Sequence, residues 1–231
     1  MKELKKALVA CKYGLNYKQL VSCGVIMFVL GLAMLVVDIV SPSMESGRGI
    51  ITFSGVYMMI IADYIFQLLV TVSITGMVQA SPKSKKWQSD IPCLFSGVMQ
   101  VGIYTVIVIF QLVCVALVPG YQQEGMTEYY MVRLILLAVF SFVFSLYMAT
   151  CYKFFIVSTI GFTVLLVGTL SMSDRLGNLS FLQGGSMLFY IVLGYVLVLA
   201  GIFVQYLVSN LLYRRPFDRL AFKTALNRAY K

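Results

Sequence analysis

Residues 91–118 read IPCLFSGVMQVGIYTVIVIFQLVCVALV, twenty-eight positions without a charged side chain. A bilayer core about 30 Å thick is crossed by roughly 20 consecutive apolar residues in a helix, so this run is long enough to span. Directly before it lies SPKSKKWQSDIP, Ser81 to Pro92, a basic patch bounded by prolines that holds the only Trp of the chain. On the far side of the patch a second run, about 50–78, carries a single charge, Asp63. Two spans joined by a short cationic connection define the class: a polytopic membrane protein.

Four more runs of spanning length follow outward from this pair, at about 19–40, 129–150, 154–172 and 184–213. With 60% hydrophobic and 12% charged residues against roughly 25% charged in soluble domains, the composition agrees. The expected fold is all-α, with six transmembrane helices forming a single transmembrane domain over 1–231 and no room for a soluble one. Spans four and five are separated by little more than Tyr152 and Lys153, which predicts a tight hairpin. Between spans five and six, the apolar half of 171–185 contains Gly184 and Gly185 and is expected to dip back into the membrane as a re-entrant segment.

Charge sets the orientation. Fifteen of the eighteen Lys and Arg residues fall in the N-terminal segment, in 81–92, at Lys153 and in the tail from Arg214, leaving only Arg48, Arg133 and Arg175 opposite. By the positive-inside rule both termini are cytosolic. The net charge of +9 therefore reads as topology and attraction to membrane lipid, not nucleic-acid binding. The first apolar run has no small-residue cleavage site after it and is read as a retained helix.

Within 1–18, Leu4, Leu8, Cys11 and Leu15 repeat at helical spacing with Lys2, Lys5, Lys6 and Lys12 around them. This is the pattern of an amphipathic helix lying in the membrane interface; a basic tail that only orients the chain is the other reading. The tail, 214–231, has a moderate amphipathic pattern and is expected at the membrane surface or against a partner.

Chemistry is scarce. The absence of His removes Ser-His-Asp activation, HExxH zinc hydrolysis and imidazole relays together. The five cysteines form no CxxC pair, so neither a disulfide nor a metal site is expected. No GxxxxGK[ST] phosphate loop is present, so the chain itself is expected to bind no ATP and to be no enzyme, with no catalytic residues. Asp63, near mid-membrane, is by default a functional hypothesis as part of a substrate path; a protonated or hydrogen-bonded carboxyl, with Gln67 or Gln100 as partner, is the plain alternative. Ser141, Ser145 and Ala149 on span four, and Gly194 and Gly201 on span six, form small-residue stripes expected to pack helices closely.

The layout and the stretch KSKKWQSDIP together resemble the membrane (permease) subunit of a type II ATP-binding-cassette exporter. In that family the connection between spans two and three is similar: basic, with an aromatic, then a proline opening the next helix. The resemblance implies that 81–92 is a coupling element seated on a separate ATPase, with Lys83, Lys85, Lys86, Trp87 and Pro92 as its residues. It also implies a homodimer in a bacterial cell membrane, with ATP and Mg held by the partner ATPase. A path lined by Met, Phe and Leu with few fixed charges favours hydrophobic or amphipathic cargo: peptide, lipid or drug. The rival reading is a six-span substrate-capture subunit of a vitamin or metal importer.

Overall fold

A computed structural model of the chain describes residues 9, 12, 17–40, 53–73, 79–117, 126–176 and 186–221. The side chains at 38–40, 53, 63, 126–130 and 170–176 lie outside that description. So do most of the N-terminal interfacial segment, the expected re-entrant 177–185 and the tail beyond 221. Among the described residues there is no β-strand. The chain is all-α, with α1 at Tyr17–Val40, α2 at Phe53–Ser73, α3 at Ile91–Leu117, α4 at Met126–Cys151, α5 at Phe155–Leu176 and α6 at Met187–Leu212. Five of these helices are long and apolar enough to cross a membrane, and α5 is apolar over Phe155–Thr169.

The distribution of side chains is inverted relative to a soluble bundle. On α6 the buried positions are Tyr190, Gly194, Val198, Gly201, Gln205 and Ser209, recurring every three or four residues. The exposed ones are Leu188, Val192, Val196, Leu199, Phe203, Leu207 and Leu211, the last 79% accessible. On α3, Ser96, Gln100 and Gln111 are buried while Leu94, Val98, Val106, Ile109 and Val113 face outward. In water such a surface would be an aggregation liability. Against lipid it costs nothing, and the small and polar residues are free to hold the helices together.

The core sits where α3, α4 and α6 meet, with Ile107, Met131, Leu134, Leu137 and Val198 inaccessible or nearly so. α2 closes one side of it through Met58 and Met59, and α1 packs on α2. A second cluster, from Ala62 and Phe66 to Phe140, Phe144 and Met148, joins α2 to α4 and reaches Phe162 of α5. The ring of Phe162 lies 4.7 Å from that of Tyr147.

The two glycines singled out on α6 serve close approach. A Cβ on Gly201 would stand 2.9 Å from the Cα of Phe142 in α4, and one on Gly194 would strike the hydroxyl of Tyr104 in α3. That tyrosine donates to the Leu134 carbonyl at 3.3 Å. Because Gly201 faces backbone, no rotamer change relieves a substitution. Gly201→Leu is therefore expected to destabilise the bundle by about 2–3 kcal/mol. Gly161→Ala on α5, where the added methyl meets nothing within 4 Å, should be neutral or stabilising by up to about 1 kcal/mol. Thermal unfolding of the two variants in detergent checks the contrast.

Candidate functional site

The described part of the connection from α2 to α3, residues 79–90, holds a turn and a short helical stub. Ser81 opens the turn with Pro82 following it. The Ser84 N–H donates to the Ser81 carbonyl at 2.9 Å and the Lys83 N–H to Ser81 Oγ at 3.2 Å, which is the chemistry of a proline turn started by a serine. From Ser84 the chain is helical. Over Lys86–Asp90 it widens into a π-helical turn, in which the Ile91 N–H reaches back five residues to the Lys86 carbonyl. Pro92 accounts for the widening: it has no N–H to give, and its ring would clash with the carbonyl four residues back in a regular helix. The stub thus runs without a break into α3.

Of the residues expected to carry the coupling, Lys83 and Lys85 are exposed and Pro92 is buried. Trp87 is half-buried, packed with Ile65 and Phe95 against Leu69 of α2 and Ile91 of α3. Its ring is a wedge between the two helices. Lys86 is half-buried like Trp87, so the cations that face out are Lys83 and Lys85, while the aromatic ring faces in.

Three segments predicted on one side of the membrane converge at this end of the bundle. Lys153, in the turn between α4 and α5, donates from Nζ to the Arg215 carbonyl at 2.6 Å and to Gln88 Oε1 at 3.5 Å. It also lies 3.9 Å from the centroid of Phe217. The Asp218 N–H donates to the Tyr152 carbonyl at 2.9 Å, and Asp218 Oδ2 accepts from the Phe155 N–H at 3.1 Å, capping α5 from the opposite segment. The stub, the hairpin turn and the tail's first residues are therefore latched together.

Burial in the latch pushes the Lys153 ammonium down to about 8, because desolvation disfavours the charged form. The neutral amine is the nucleophile, so acylation of Lys153 is expected to rise with a midpoint near pH 8. A lysine in an unstructured reference peptide titrates at about 10.4. Competitive labelling read by peptide mass spectrometry measures both. Between those values the folded chain has released a proton that the unfolded chain still binds, so the residue's contribution to stability improves as pH rises through the window.

Deeper, between α3, α4 and α6, runs a buried polar seam. Gln100 Oε1 accepts from Ser145 at 3.0 Å and from Ser141 at 3.4 Å. Its Nε2 donates to Ser96 Oγ at 3.5 Å, and Gln205 Nε2 donates to the same oxygen at 3.4 Å. All five side chains are essentially inaccessible. Cys93 continues the line toward the stub, its Sγ 3.9 Å from the Gln205 carbonyl. Ser141 and Ser145, expected as packing positions, thus also hydrogen-bond across to α3. The sequence reading missed the seam as a unit; its signal was a glutamine in the middle of each of two otherwise charge-free spans.

Asp63 stands midway along α2, and its side chain is outside the described residues. No protein-family model, curated protein or solved structure matches this chain. The resemblance to an exporter permease therefore rests on the residues and layout quoted above.

Proposed function

We propose that this chain is the membrane subunit of an ATP-driven exporter of hydrophobic or amphipathic cargo, powered by a separate ATPase subunit. In this reading α1 to α6 all span, both termini are cytosolic, and two copies stand side by side in the cell membrane. ATP and Mg belong to the partner. The observation that carries the reading is the turn and stub at 83–90: Lys83 and Lys85 exposed on the outer side, and Trp87 wedged between α2 and α3 on the inner side. A push on such an element is delivered to two helices at once. The latch through Lys153 extends the same displacement to the α4–α5 turn and to the end of α6. Asp63 is assigned to the substrate path on its mid-helix position alone.

A photo-crosslinking residue at Lys85 tests the docking surface in native membranes. The expected adduct is a nucleotide-binding ATPase subunit, identified by mass spectrometry. The same probe at Leu188, exposed at the opposite end of α6, should give none. If Lys85 captures no ATPase, the stub is not a coupling element and the capture-subunit reading gains.

A further inference from the structure

An open groove of about 500 Å³ lies beside the stub, lined by Gln79, Ser84 and Gln88 on one wall and by Tyr213, Arg214 and Arg215 on the other. Lys85 Nζ and the Arg214 guanidinium both stand by the Tyr213 ring, 5.7 and 5.6 Å from its centroid. Two cations are thus gathered around one aromatic at the mouth. Among the described residues no carboxylate lines the groove. The acidic residue just beyond it, Asp218, is engaged by the Phe155 and Leu220 N–H groups.

Depth identifies the ligand class. α3 has 27 residues and α6 has 26, about 40 Å each at 1.5 Å per residue. That exceeds the ~30 Å hydrocarbon core and brings their ends into the headgroup layer. One wall of the groove, from Tyr213 on, is formed by the first residues past α6, and Gln88 of the other wall stands three residues before α3. Leu211, in the last turn of α6, and Leu94, in the first turn of α3, are aliphatic and exposed.

We propose that this groove holds the phosphodiester headgroup of an anionic phospholipid. The Arg214 guanidinium at the mouth supplies a planar donor fork that matches phosphate oxygens, and Arg215, which also lines the groove, carries its guanidinium 5.2 Å from the Phe154 ring centroid. Ser84 and Gln88 offer neutral donors. A phosphocholine headgroup would bring its own cation against Lys85 and Arg214 and is disfavoured. The proposal rests on the membrane-spanning reading and not on the ATPase partnership, so it is tested on the purified chain alone.

Native mass spectrometry of the detergent-solubilised full chain, titrated with phosphatidylglycerol or phosphatidylcholine, gives the preference. Wild type is expected to retain phosphatidylglycerol at roughly tenfold lower lipid concentration. R214Q/R215Q should abolish the difference. K12Q/K18Q, which removes the same charge from exposed positions elsewhere, should keep it. If R214Q/R215Q unfolds in lipid-free detergent, K85Q carries the test and should at least halve the preference. Equal retention of the two lipids by wild type would overturn the proposal, as would a preference unchanged in the groove variants. An equal loss in K12Q/K18Q would mean diffuse attraction, and displacement by millimolar inorganic phosphate a free-anion site; either overturns the lipid assignment.

Discussion

Trp87→Ala is expected, in the proposed exporter, to lower cargo-stimulated ATP hydrolysis by about tenfold or more, the effect of losing an aromatic anchor, while the chain still inserts and still binds the ATPase. The separation follows from where the side chain sits. Trp87 packs on Leu69 and Ile91 together with Ile65 and Phe95, so its removal slackens the joint between the stub and the two helices it drives. Lys83 and Lys85 are exposed and form the docking face in the proposed exporter, so Lys83→Glu with Lys85→Glu should weaken ATPase binding instead. Measuring ATPase affinity and maximal stimulated rate separately for the two variants distinguishes strut from dock. Loss of binding in Trp87→Ala, with normal stimulation once bound, would reverse the assignment.

Gln100→Leu is expected to cost about 2 kcal/mol of stability, the second large effect. One amide ties α3 to two serines of α4 and shares Ser96 with Gln205 of α6. Interhelical hydrogen bonds inside membranes average only about 0.6 kcal/mol each, and the bonds here are 3.0–3.5 Å long. The serines can also turn back to carbonyls of their own helix. The loss falls mainly on the Ser141 and Ser145 hydroxyls, which keep at best those local bonds in an apolar interior, while the Gln205–Ser96 bond stays intact. Removing the serines as well should recover part of it, since an unpaired polar group costs more than an absent one. Denaturant unfolding in micelles of Gln100→Leu against Gln100→Leu/Ser141→Ala/Ser145→Ala gives the comparison; no recovery in the triple variant would show that packing, not hydrogen bonding, dominates the seam.

The helices were legible because a bilayer demands charge-free runs of fixed length. α3, read as 91–118, is observed at Ile91–Leu117, and α6, read as 184–213, is described over Met187–Leu212. The α4–α5 hairpin was equally plain from Tyr152 and Lys153 standing between two apolar runs. What could not be read was anything that depends on which helix lies opposite. Ser141 and Ser145 look like spacers until Gln100 is placed across from them. Lys153 looks like an orienting charge until Arg215, sixty-two residues away, is brought to its ammonium. Trp87 in a basic connection suits an outward anchor and an inward wedge equally well, and only the position of α2 decides between them. The π-helical turn had a visible cause in Pro92, yet a proline at that point serves an irregular loop just as well.

The central claim is that this chain works as a pair driven by a separate motor, and the mass of the complex extracted from native membranes tests it most directly. The account predicts two copies of the 231-residue chain together with two ATPase subunits, in a particle that dissociates symmetrically. A particle holding one copy, beside a different membrane protein or with no ATPase at all, would contradict it.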